Sequence, residues 1–135
     1  MRGAGQDLLR VVLRVDGWST AVFGVVLLAL AGPLSGPLGL PVAWAVPFGV
    51  AMLGGAAALG LIAGYPAIPA RLAGMAVAGN ALSAVAMLAL VASPLLPLTA
   101  LGVAFMLVGA AVVAVYAVVE YAGLRRARPL TAAGS

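Results

Sequence analysis

The chain has 135 residues, of which 65% are hydrophobic and 7% charged, with a mean hydropathy of +1.24. So few charges cannot cover a water-facing surface, which excludes a soluble globular domain. Seven basic residues against three acidic ones give a formal charge of +4, yet every basic residue is an Arg beside an apolar run and nothing soluble is left to hold a duplex, so nucleic acid is not expected as a partner.

Pro and Gly clusters interrupt the apolar sequence at Gly32–Pro41 (GPLSGPLGLP), Tyr65–Arg71 (YPAIPAR) and Ser93–Pro97 (SPLLP). Four spans are predicted between them, at about 11–31, 42–63, 72–92 and 98–122, each close to the roughly 20 residues that a helix needs to cross hydrocarbon. Backbone hydrogen bonds must close inside each segment there, so continuous helices are expected despite the Gly and Val content. The predicted fold class is all-α, an integral membrane four-helix bundle forming one domain over residues 1–135. Arg2 and Arg10 precede the first apolar run as they would in a signal peptide. No clean cleavage boundary follows and three more spans do, so that segment is expected to be retained.

In the first span Asp16, Ser19 and Thr20 stand at i, i+3 and i+4 and share a helical face, which Phe23 continues a turn later. Arg10 and Arg14 form a separate pair four apart. The first outer loop is expected to press onto the bundle or the lipid, because Leu34, Leu38, Leu40 and Val42 have no preference for bulk water. Trp44 begins the second span at the outer interface, and Tyr65 and Tyr121 fall at inner ends, where amphipathic rings are enriched. Ala56, Gly60 and Gly64 in the second span, with Gly74 and Ala78 in the third, repeat small residues at four-residue spacing, a pattern that lets helices approach closely. Asn80 and Ser83 lie three apart near mid-membrane in the third span. Tyr116 and Glu120, four apart, make a polar stripe in the fourth.

The basic residues then orient the chain. With four spans both termini share one side, which collects Arg2, Arg10, the Arg71 loop, Arg125, Arg126 and Arg128, while the opposite loops carry no charge. The positive-inside rule predicts N-in/C-in topology in the inner (cytoplasmic) membrane.

Asp16 and Glu120 are what topology leaves over. A mid-helix acid costs roughly 2.5–3.5 kcal/mol on insertion scales, so such acids usually face a bundle interior and mark a site. Both are placed about one turn below the cytoplasmic interface, on the order of 5–8 Å, where they could face one cavity. The alternative is ordinary pairing, of Asp16 with Arg14, Arg71 or Arg125 and of Glu120 with an Arg of the tail. Asn80 serves either as helix–helix glue or as a ligand contact, and Tyr116 either as a lipid anchor or as a donor into the cavity.

Cysteine and histidine are both absent, which removes disulfides, thiolate chemistry, Cys- or His-ligated metals and the common haem ligations. No P-loop or GxGxxG is present, and no cofactor or metal is expected.

The run LLRVVLRVDGWSTAVFGVVLLALAGPLSGPLGLP, the Gly-rich second span, Asn80 with Leu82, and the closing EYAGLRR resemble a family of small four-helix bacterial membrane proteins. Its members share an Arg-x-Asp start, a Leu-Gly-Leu-Pro outer loop, an Asn in the third helix and a Gly-Leu-Arg-Arg end. The layout is also similar to that of DoxX-like proteins, with no redox motif to carry over. The resemblance implies a four-helix fold and points to Arg14, Asp16 and Asn80.

Three functions fit these residues. The first is a cytoplasmic-leaflet pocket that binds a lipid-like or isoprenoid-like small molecule, lined by Asp16 and Glu120 with Arg14, Trp18, Thr20, Phe23, Asn80 and Tyr116. The second is an acid-triggered enzyme of terpenoid cyclase or isomerase type, with Asp16 and Glu120 as acid and base and the rings of Trp18, Phe23 or Tyr116 steadying positive charge. The third is an accessory subunit of a larger membrane complex. A homo-oligomer also fits so small a chain.

Overall fold

The computed structural model describes residues 3–133, with side chains over residues 3–127. Arg2 and the side chain of Arg128 lie outside the described residues. Five helices follow in chain order: α1 (Ala4–Ala29), α2 (Ala31–Leu38), α3 (Val42–Ala63), α4 (Ala70–Ala92) and α5 (Ala100–Ala133). Four of them, α1, α3, α4 and α5 to Ala127, are long and apolar enough to cross a membrane, which suggests a multi-pass membrane protein. No strand occurs among the described residues.

Two elements extend past their expected limits. α1 begins at Ala4 and α5 continues to Ala133, beyond the predicted spans, because the Arg, Ala and Leu residues that flank the apolar runs are themselves good helix formers, and α5 runs on through Gly123 and Pro129. The first Pro/Gly cluster, expected as a loop, contains α2. The chain bends at Leu30 (φ −109°, ψ 13°) and then resumes a helix. Pro33 falls in its first turn, where a missing N–H costs nothing and a fixed φ suits the helix. Gly39 ends α2 in the left-handed conformation, φ 67°, which favours glycine.

α1 packs lengthwise against both α3 and α5, and α4 packs against α5, while α3 and α4 barely meet. The α1–α3 crossing is close where two glycines face one another: a Cβ on Gly24 would stand 3.2 Å from the Gly49 carbonyl oxygen. The four-residue repeat of small residues contributes at a second point, where Ala56 and Gly60 lie under Gly17. Gly64 instead caps α3, and a Cβ on Gly74 would meet nothing within 4 Å.

Each end of the bundle is fastened by a polar side chain. At one end Arg10, only 8% exposed, donates to the carbonyls of Ala63 and Tyr65, both at 2.6 Å, and of Pro66 at 3.1 Å. Those carbonyls end α3 and begin the turn to α4, where intrahelical donors run out. Gln6, one turn earlier, brackets Ile68: its Oε1 accepts from the Ile68 N–H at 3.0 Å and its Nε2 donates to the Ile68 carbonyl at 3.4 Å. Arg10 is therefore a clamp as well as a charge at the basic end. At the other end the Thr99 hydroxyl accepts from the Gly102 N–H, capping α5, and donates to the Pro37 carbonyl, while the Thr99 N–H donates to Leu38. Leu38 and Leu40 are buried there with Leu34 packed beside them, so the connection lies on the bundle as its composition requires.

Two apolar clusters fill the interior. Leu9, Leu13, Leu59, Ala63, Ile68, Ala73, Ala76 and Leu124 gather at the basic end, and Leu27, Ala31, Leu38, Leu40, Ala45 and Leu96 at the charge-free end. Polar side chains occupy the level between them. Arg10→Met is expected to cost about 3 kcal/mol, because charge-assisted bonds to three carbonyls are lost together; Gly24→Val is expected to cost about 1–3 kcal/mol through overpacking. Gly54→Ala, at an open position, is expected to stay within about 0.5 kcal/mol of wild type. Denaturant titration of the detergent-solubilised protein measures all three.

Candidate functional site

Midway along α1, the polar face of the helix turns inward. Asp16 is 0% exposed, and so is Glu120 of α5. Between them stands Asn80, near the middle of α4. Its Nδ2 donates to Asp16 Oδ2 at 2.7 Å and to Glu120 Oε1 at 2.8 Å, which uses both protons of the amide. Thr20, one turn after Asp16, donates to Asp16 Oδ1 at 3.0 Å. Each carboxyl oxygen of Asp16 thus accepts from one neutral donor. In Glu120 only Oε1 does: among the described residues Glu120 Oε2 is buried without a hydrogen-bond partner.

A second, smaller arrangement adjoins the first. Ser19 donates to the Asp16 backbone carbonyl at 3.0 Å, and its oxygen lies 2.9 Å from the Tyr116 hydroxyl. Ser19 has one proton, so Tyr116 donates in that pair. Tyr116 therefore braces α5 against α1 one turn before Glu120.

The two acids meet at one place, on the Asn80 amide, and no ion pair to either occurs among the described residues. Arg10 holds the end of α3, Arg14 and Arg71 are exposed, and Arg125 lies over the Tyr121 ring at 5.8 Å. Asp16 stands at the middle of α1, with twelve residues of the helix before it and thirteen after.

Of the residues expected around a ligand, Asp16, Thr20, Asn80 and Glu120 come together, with Tyr116 one contact away. Arg14, Trp18 and Phe23 do not join them. Trp18 is 75% exposed, two residues from Asp16 and so on the opposite side of α1, whereas Phe23 shares the side of Asp16 but stands two turns further along, 48% exposed. Ser19 shares the face of Asp16 and Thr20 and was legible by spacing. The clamping role of Gln6 and Arg10 has only their four-residue spacing as a signal in the sequence.

Around the cluster the chain offers acceptors and neutral donors. No group of three or more His, Cys, Asp or Glu able to hold a metal occurs among the described residues. Two carboxyls of different helices at one nitrogen suit a hydrogen-bonding guest or a proton. No protein-family model, curated protein or solved structure matches this chain, and no match supports the DoxX-like layout.

Asn80→Leu is expected to destabilise the fold by about 2–3 kcal/mol, since it leaves two buried acceptors without their donor. The triple change Asp16→Leu, Asn80→Leu, Glu120→Leu is expected to recover much of that loss, because no polar group is then stranded. Unfolding free energies from a mutant cycle check the coupling.

Proposed function

We propose that this chain is a multi-pass protein of the cytoplasmic (inner) membrane, with both termini in the cytoplasm. Its acid–amide cluster binds the polar end of a lipid-like or isoprenoid-like small molecule. The orientation is supported by the segregation of charge: Arg10, Arg71, Arg125 and Arg126 fall at one end of the bundle, while α2 and the connection before α5 carry none.

The observation that carries the binding role is Glu120 Oε2, a buried oxygen with no hydrogen-bond partner among the described residues. A native structure rarely leaves such an atom unsatisfied. A carboxyl oxygen accepts when ionised and donates when protonated, so a hydroxyl, which can do either, is the best-fitting polar end and an amine the next. Apolar helices on every side suit a hydrocarbon remainder.

The acid-triggered enzyme also draws on two acids at one point. Of the three rings it could use, only Tyr116 adjoins the acids, and its hydroxyl is held by Ser19, while Trp18 and Phe23 are exposed, so binding is favoured. A subunit role, in a homo-oligomer or a larger membrane complex, draws on a different observation. Gly54 and Gly55 of α3 and Gly79 of α4 are exposed, and a Cβ on any of them would meet nothing within 4 Å.

Radiolabelled farnesol, an isoprenoid alcohol, is the first probe for the purified protein in lipid nanodiscs. Saturable binding is expected, weakened about tenfold by Glu120→Gln, the equivalent of one hydrogen bond to a charged or shared-proton acceptor. Absence of saturable binding, together with no hydrophobic hydroxyl or amine compound in solvent extracts of the purified protein, would sink the proposal.

A further inference from the structure

Arg14 is the charge within the middle of α1 that neither the clamp nor the cluster uses. It stands two residues before Asp16, and residues two apart point to roughly opposite faces of a helix. Asp16 is therefore buried while Arg14 is exposed. No ion pair of Arg14 occurs among the described residues, Asp7, two turns earlier on the same side of α1, included.

A groove of about 350 Å³ opens beside it between α1 and α3. Gly17 and Ala21 of α1 and Ala56, Ala57 and Gly60 of α3 line it, with Trp18 at its rim. Its floor is nearly bare backbone: a Cβ on Gly17 would stand 3.5 Å from the Ala56 carbonyl oxygen. The walls are apolar and Arg14 is their one charge, so the groove combines a seat for hydrocarbon with a fixed cation at its edge.

The surroundings then narrow the occupant. Arg14 lies within a helix suited to cross a bilayer, and a guanidinium facing hydrocarbon without a counter-ion is costly. Side chains on a helix lean toward its N-terminus, and the N-terminus of α1 lies at the basic end beside Arg126, where a Cβ on Gly5 would touch the α5 backbone. The guanidinium thus leans toward the headgroups of the leaflet at that end. A phosphate there matches its fork of donors, and an acyl chain matches the floor.

We propose that this groove seats one anionic glycerophospholipid of the leaflet at the basic end, its phosphate on Arg14 and an acyl chain along the glycine–alanine floor beside Trp18. The site is separate from the acid–amide cluster, on the other side of α1, and stands whether or not that cluster binds a small molecule.

Native mass spectrometry of the full chain, released from micelles containing equal amounts of phosphatidylglycerol and phosphatidylcholine, tests it. Wild type is expected to retain phosphatidylglycerol over phosphatidylcholine by roughly fivefold, the gain from one cation near an anionic headgroup. Arg14→Gln is expected to bring that ratio to about one, and Arg14→Lys to keep most of it. Ala57→Phe, which fills the floor, is expected to lower retention of both lipids. Millimolar inorganic phosphate is expected to leave the wild-type ratio unchanged, because the chain seat is part of the site. Equal retention of the two lipids by wild type, or a preference that survives Arg14→Gln, overturns the proposal. If Arg14→Gln does not fold, Ala57→Phe decides, and retention equal to wild type overturns it.

Discussion

The amide nitrogen of Asn80 joins three helices. It donates to a carboxyl of α1 and to a carboxyl of α5, and α4 carries it. Since α4 packs mainly on α5 and hardly on α3, this side chain is a principal polar tie from α4 to α1. In hydrocarbon no water replaces a lost partner, so a buried polar group either finds its match within the protein or opposes the fold. Asparagine suits the position because a neutral amide has two donors that diverge, enough for two acceptors without adding charge. A lysine would bring charge and a leucine would bring nothing.

That tie sits at the level where the apolar interior divides. Leu9 and Leu13 belong to one cluster and Leu27 to the other, and the Asp16, Ser19 and Thr20 face of α1 separates them. The arrangement locates the polar groups at mid-height while the ends are closed by other means: Arg10 and Gln6 on the turn after α3, and Thr99 on α2. With both ends clamped and the middle bridged, the helices hold their relative positions without extensive α3–α4 contact. Within this frame one oxygen, Glu120 Oε2, is buried without a hydrogen-bond partner among the described residues.

α1 is the hub of the molecule, and its two sides have different work. The inner side carries the acid, the hydroxyls and the leucines of the core. The outer side carries Arg14 and Trp18 above a floor of glycine and alanine. The small residues that let α1 and α3 come close therefore also leave a shallow groove outside, because a side chain absent from a helix crossing is absent from the neighbouring surface too.

Much of this was written in the order of the residues. Composition determined the all-α class and four helices apolar enough to cross a membrane, because so few charges cannot cover a soluble surface. The spacing of Asp16, Ser19 and Thr20, and of Tyr116 and Glu120, placed each polar set on a single helical face, since helical period is a local property. Which helix faces met was decided only by tertiary packing. Nothing in the sequence ranks the α1–α3 glycine crossing above the many other small-residue pairs, turns Arg10 from a flanking charge into a clamp on carbonyls fifty residues away, or sends Asp16 inward and Arg14 outward. Such outcomes depend on which backbone lies opposite each side chain, and that is a contact between distant parts of the chain.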